Sequence, residues 1–260
     1  MTWPIWQINA FTNRPFKGNP AAVCMPQSNG EDQRLQQIAI EMNLSETAFL
    51  YKKEMNTYHL RWFTISEEEE LCGHATLAAA HVLWEEGDAD RLHPIKFFTR
   101  SGLLEAYREG NDIRLDFPKE PITLCPIHPA IKKYYGSIIQ AQGYNRLDHF
   151  LELSTEEDVL QFLPEEAIKH LTGRRGIIIS SPSTRKHTDI VSRFFAPTED
   201  PVTGSAHCAI GPYWAERIGR ETLRAYQASS RGGTLHVVCH GKRVHLIGQA
   251  VTIWKGRLTV

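Results

Sequence analysis

Two glycine-centred segments carry the residues best suited to chemistry. They are Leu71-Cys72-Gly73-His74-Ala75-Thr76-Leu77-Ala78-Ala79-Ala80 and Asp200-Pro201-Val202-Thr203-Gly204-Ser205-Ala206-His207-Cys208-Ala209. Each reads as the end of a strand, then a glycine followed by a polar side chain, then an Ala-rich helix. Aligning Gly73 with Gly204 gives G-x-A-x-x-A in both, 131 positions apart in a chain of 260. A unit that recurs once per half implies two similar lobes, each aiming a helix N-terminus at a shared cleft. Such a terminus offers free backbone N–H groups and a partial positive charge, so it suits an anion such as a carboxylate.

Three side chains could move or hold a proton. Glu46 lies in Leu44-Ser45-Glu46-Thr47-Ala48-Phe49, a polar triplet between apolar residues. A partly buried Glu there has a raised pKa suited to proton transfer; on local sequence alone a helix-cap Glu is the leading reading. His74 at a helix N-terminus is expected to be a neutral imidazole, able to give or take a proton, and a purely structural His stands equal beside that. Asp200, before Pro201, is either an anchor for a cationic ligand group or a turn residue. Metal binding has little support. His74 and His81 are seven apart, with His207 and Cys208 in the other half, but there is no H-E-x-x-H or paired Cys/His spacing. Dinucleotide and P-loop glycine motifs are absent.

Composition bounds the rest. A hydrophobic content of 42%, 23% charged residues and a net charge of −1 are ordinary for a globular protein, and give no electrostatic case for nucleic acid or an anionic membrane. No apolar run approaches a membrane span, and Met1-Thr2-Trp3-Pro4 is no signal-peptide start. Five cysteines without a C-x-x-C argue for reduced thiols and a cytoplasmic protein.

The elements that must position these residues follow from periodicity. Trp6 to Phe11, Pro20 to Met25, Ala48 to Tyr51 and His59 to Thr64 read as strands, with a helix over Leu35 to Met42. Turn residues crowd Asn13 to Pro20. The first glycine helix runs to Trp84, followed by antiparallel strands at 95–99, 102–108 and 112–117. Pro118-Lys119-Glu120-Pro121 marks the boundary between lobes 1–118 and 119–260. Past it come helices at 130–135 and 156–163, strands at 148–153, 176–180 and 189–195, and the second glycine helix, 206–218. Leu235 to Val260 reads as a closing meander. The fold class is α+β: two pseudo-symmetric lobes, each a mostly antiparallel sheet wrapped around one Ala-rich helix.

With these residues in view, the chain resembles the PhzF family of phenazine-biosynthesis-like isomerases. The likeness runs through Asn9 to Thr12, Pro15 to Val23, Leu44 to Phe49, Arg61 to Thr64, Leu71 to Ala80, Ser192 to Pro197, Glu199 to Ala209 and Gln227 to Gly233. The resemblance implies the diaminopimelate-epimerase-like fold with the site between the lobes, a homodimer, and no metal or organic cofactor. It makes Glu46 the general acid/base, with His74 and Asp200 catalytic and Ser45, Gly73, Gly204 and Ser205 lining the substrate site. The implied substrate is a small anionic cyclic carboxylate; the type member moves a proton within trans-2,3-dihydro-3-hydroxyanthranilate.

Three positions depart from the pattern: Asn9 where Asp is usual, a shortened Ala196-Pro197-Thr198-Glu199-Asp200 segment, and Tyr226 where Arg is usual. Two other functions compete. A two-thiol racemase or epimerase would use Cys72, but its counterpart position is Pro201, and Cys208 lies on the far side of Gly204. A non-catalytic binding protein on the same fold is the other.

Overall fold

The computed structural model describes residues 2–26, 31–196 and 198–259. The chain forms two compact units, Met1–Asp116 with Ile247–Val260, and Phe117–Leu246. In the first half the elements are β1 (Thr2–Ala10), β2 (Asn19–Cys24), α1 (Asp32–Met42), β3 (Glu46–Glu54), β4 (Thr57–Phe63), β5 (Glu68–Glu69), α2 (Gly73–Glu85), β6 (Ile95–Thr99), β7 (Gly102–Glu109) and β8 (Asp112–Pro118). There follow β9 (Thr123–Cys125), α3 (Pro129–Tyr135), β10 (Ile139–Tyr144), β11 (Asp148–Leu153), α4 (Glu156–Gln161), α5 (Glu165–His170), β12 (Gly176–Pro182) and β13 (Ile190–Ala196). The last are β14 (Thr198–Glu199), α6 (Gly204–Ile218), β15 (Thr222–Gln227), β16 (Gly233–His240), β17 (Arg243–Gly248) and β18 (Ala250–Thr259).

Strand pairing repeats in the two units. In the first, β1–β2 is antiparallel, β2–β3 parallel, β3–β4 antiparallel, β4–β6 parallel and β6–β7 antiparallel. In the second, the same sequence of directions runs through β10–β11, β11–β12, β12–β13, β13–β15 and β15–β16. The parallel steps fall where a helix intervenes, because parallel neighbours need a crossover: α1 and α2 in one unit, α4–α5 and α6 in the other. The expected fold of two similar α+β lobes is what the chain adopts. The closing strands differ from the expected meander in their last member. Ala250–Thr259 is a single strand that pairs antiparallel with Thr2–Ala10, because β1 is buried on both faces and needs a partner at each edge.

The glycine helices are the cores. In α2 every residue from Gly73 to Ala80 is buried, as are Val82, Leu83 and Trp84. A helix apolar all round must be enclosed, and strands β1, β2, β3 and β18 pack on it. In α6, Gly204 through Gly211 and Trp214 are buried. Pro212 lies inside this helix, so Cys208 loses its usual i+4 donor. The Glu120 N–H donates to the Cys208 carbonyl at 3.1 Å and satisfies it. No helix among the described residues is long and apolar enough to cross a membrane.

Gly211 marks how closely α6 meets β16. A Cβ built there would stand 2.4 Å from Val237 Cγ1, on a β-branched side chain that is fully buried and has little freedom to move. Alanine is the better helix former by about 1 kcal/mol, but overpacking costs about 1–3 kcal/mol. Gly211→Ala is therefore expected to lower the melting temperature, and adding Val237→Ala to restore part of it. An unchanged melting temperature in Gly211→Ala would contradict this close packing.

Candidate active site

Glu46 reaches its place through the end of α1. That helix stops at Asn43, which adopts the left-handed conformation (φ 50°) and donates its N–H to Ala39 O. Glu46 is then the first residue of β3, paired in parallel register with Ala21. It is a strand residue, and the helix-cap reading falls away.

The parallel neighbour β2 starts at Asn19, directly after Gly18. Gly18 has φ +70°, and a Cβ there would lie 2.2 Å from the Ala10 carbonyl oxygen. Only glycine tolerates that approach, and the tight turn buries the Asn19 side chain completely.

His74 is the second residue of α2, whose N-cap, Cys72, makes no side-chain capping bond. Four side chains of the first unit meet around it. Its Nε2 lies 2.9 Å from Glu46 Oε2. Its Nδ1 lies 3.2 Å from Asn19 Nδ2 and 3.6 Å from Cys72 Sγ. Ser45 Oγ donates to Asn19 Oδ1 at 3.3 Å. The His74 and Glu46 side chains are only 5% and 18% exposed, so the contact is shielded from water.

The Glu46–His74 approach is close in distance but not aligned as a hydrogen bond. Among the described residues Glu46 Oε2 and His74 Nε2 have no aligned partner. Buried polar atoms are rarely left so without a functional reason. A ligand atom that accepts from Nε2 or donates to Oε2 would complete them.

The electrostatics reverse one expectation. Burial acts against the His74 imidazolium, yet the interactions with Cys72 and then Glu46 outweigh it and raise the pKa well above the ordinary 6.5. Burial, reinforced by the Glu46 charge, pushes the Cys72 thiol up to about 11. Cys72 is therefore neutral near pH 7. The neutral His74 expected from its helix position is opposed by its neighbours, which raise its pKa against burial and the helix N-terminus.

Glu46, Cys72 and His74 also form a group whose donor atoms lie within 4.8 Å of one another. Cys72 and Glu46 approach different ring nitrogens, so these rotamers do not turn three donors to one point. His81, the other histidine of α2, is turned to Glu85 and Thr252 instead.

In the second unit Asp200 and the N-terminus of α6 are held by a separate network. Asp200 N–H donates to Phe194 O at 3.0 Å, and Asp200 Oδ2 accepts from the Thr203 hydroxyl. The fully buried Gln227 clamps the segment. Its Nε2 donates to Asp200 O and Thr203 Oγ1, and its Oε1 accepts from Thr203 N–H. His207, one turn into α6, sits 2.8 Å from the Thr203 carbonyl through Nδ1 and 3.4 Å from Ser192 Oγ through Nε2. The first contact requires an Nδ1–H donor. Pro197, in the shortened segment, lies outside the described residues; beyond it β14 folds back on β13, with Phe195 opposite Glu199.

Ser205 has a partner that sequence reasoning missed. Arg175 donates to Ser205 Oγ at 2.8 Å and grips the fully buried Asp148 through two hydrogen bonds of 3.0 and 2.7 Å. The available signal was an Asp opening an apolar strand, which needs a cation if it is buried. Asn19 was also missed, because Gly18-Asn19-Pro20 reads as an ordinary turn. Of the departing positions, Asn9 is buried with Oδ1 unpartnered among the described residues. Tyr226 lies beneath the Arg185 guanidinium, 4.4 Å away.

The phenazine biosynthesis-like protein family, PhzC-PhzF, matches residues 8–256. An uncharacterized isomerase of Halalkalibacterium halodurans is 46% identical over 99% of both chains. The crystal structure of a PhzF-family phenazine biosynthesis protein from Enterococcus faecalis covers all of both chains, with a TM-score of 0.92 and 39% identity. A hydroxyproline epimerase from Agrobacterium vitis superposes with a TM-score of 0.66 at 8% identity, over 99% of this chain and 92% of its own. That likeness extends to the fold alone.

His207 makes a pH-dependent contribution to stability. Burial lowers its pKa from 6.5 to about 4, against a small opposing effect of the Thr203 carbonyl. As pH falls below 6.5 the unfolded chain takes up the proton first, and the folded protein follows only near pH 4. The stabilisation is thus complete above 6.5, is lost progressively down to about 4, and on the order of 3 kcal/mol is involved. Urea unfolding at steps between pH 7 and 4 should show a steeper loss for the wild type than for His207→Gln. Equal slopes would mean that His207 does not remain neutral in the folded protein.

Proposed function

The chain belongs to the phenazine biosynthesis-like PhzC-PhzF family and is an isomerase; from that premise we propose that it moves a proton within a small cyclic carboxylate, with Glu46 as the general acid/base. The observation that carries this reading is the Glu46–His74 contact, shielded from water, with one atom of each group unsatisfied.

In this mechanism the Glu46 carboxylate takes a proton from a substrate carbon, and the C–H electron pair passes into the adjacent π-system. Glu46, now a carboxylic acid, returns the proton to another carbon on the same face. Atoms and charge balance without oxidant, reductant or cofactor. The His74 imidazolium stabilises the carboxylate between turnovers and offers Nε2–H to charge developing on the substrate. The family resemblance assigns substrate contacts to Gly73 and Gly204, each the first residue of its helix, where free backbone N–H groups suit a carboxylate. The resemblance assigns the remaining polar contacts to Ser45, Asp200 and Ser205. The protein acts as a homodimer, as the family resemblance implies.

The racemase alternative finds no second thiol. Cys208 is fully buried inside α6, and burial raises its pKa further than that of Cys72. Incubation in D2O with a panel of cyclic amino and hydroxy carboxylates, read by mass spectrometry, separates the mechanisms. Glu46→Gln is expected to lose roughly 10²–10⁴-fold in deuterium incorporation, while Cys72→Ser keeps most of it. An active Glu46→Gln beside an inert Cys72→Ser would favour thiol chemistry, and a folded Glu46→Gln exchanging at the wild-type rate would remove the proposal.

A further inference from the structure

The geometry points to Asn19 as a positioning residue that dictates which nitrogen of the neutral His74 ring carries the proton. An imidazole in its neutral form has one N–H and one lone pair, and the partner of one nitrogen decides the state of the other. Nδ1 faces two donors, the Asn19 amide at 3.2 Å and the Cys72 thiol at 3.6 Å. Ser45 Oγ donates to Asn19 Oδ1 at 3.3 Å, which holds the amide with its nitrogen toward the ring. Nδ1 is therefore the acceptor, and the proton sits on Nε2, 2.9 Å from Glu46 Oε2.

The same pair follows the ring when it gains a proton. In the imidazolium Nδ1 also carries hydrogen, and a half-turn of the Asn19 amide brings Oδ1 to it while Ser45 Oγ accepts from Nδ2. Amide and hydroxyl each donate or accept, so neither charge state of His74 leaves a buried group unpaired at Nδ1. A carboxylate in place of Asn19 would lose this freedom. The catalytic meaning of this arrangement rests on Glu46 being the acid/base; the tautomer itself does not.

Long-range 1H–15N spectra of the full-length protein labelled at histidine test it, recorded above the His74 pKa where the ring is neutral. The wild type is expected to show Nδ1 unprotonated and Nε2 protonated. Asn19→Asp, whose carboxylate accepts from Nδ1–H, should move the proton to Nδ1. Asn19→Leu, which leaves only the weaker Cys72 thiol at Nδ1, should weaken the preference for a single tautomer. Deuterium exchange measured at that same pH should fall at least about tenfold in both variants, because the neutral ring then no longer presents a fixed Nε2–H; a wrong imidazole tautomer costs a Ser-His-Asp triad roughly 10⁴-fold. An Nδ1–H ring in the wild type, or an Nε2–H ring retained in Asn19→Asp, would overturn the inference. If Glu46→Gln exchanges normally while the tautomer shifts as expected, the acid/base reading fails and the role of Asn19 in setting the tautomer stands.

Discussion

A carboxylate withdrawn from water must find a cation or neutralise itself, and the first unit is organised around that demand. Glu46 opens a strand, His74 is the second residue of a helix, and a 2.9 Å contact joins them. The contact places His74 within reach only because α2 is sunk among strands from both sides of its own sequence. The helix supports that position with alanines along its length, which let backbone approach backbone. Its polar side chains are therefore confined to its ends and to His81, which turns to Glu85 and Thr252. Asn19 and Ser45 lie at the start of β2 and just before β3, the parallel pair that carries Glu46.

The second unit repeats the topology and inverts the electrostatics. Both helices begin at glycine, and both carry a buried histidine in their first turns. His74 meets a carboxylate and holds its charge. His207 meets a carbonyl and a hydroxyl, and burial alone decides that it stays neutral. The first arrangement holds two titratable groups against each other. The second serves geometry: His207 and Gln227 fix Thr203, and Thr203 fixes Asp200. Arg175, gripping the buried Asp148, does the same for Ser205. One fold unit thus yields a buried carboxylate–imidazole pair in one copy and a rigid polar network in the other, through a change of neighbours rather than of backbone.

The repeat of glycine, polar residue and Ala-rich helix was legible because helix periodicity and glycine punctuation are local properties. So was the α+β class, since strand alternation and turn residues act over a few positions. Glu46, His74, Asp200 and Ser205 were reachable by type and motif. What lay beyond local pattern was who pairs with whom. The final strand joins β1 across nearly the whole chain length, and no periodicity near Ala250 announces a partner near Thr2. The charge on His74 depends on Glu46, 28 positions away, so its helix position pointed the wrong way. Asn19 looks like a turn residue until the parallel pairing of β2 and β3 brings it to the ring. The sequence by itself determined the residue types, the repeat and the class of chemistry; the tertiary structure decided protonation, tautomer and partner, because those depend on through-space distances of about 3 Å that chain separation does not encode.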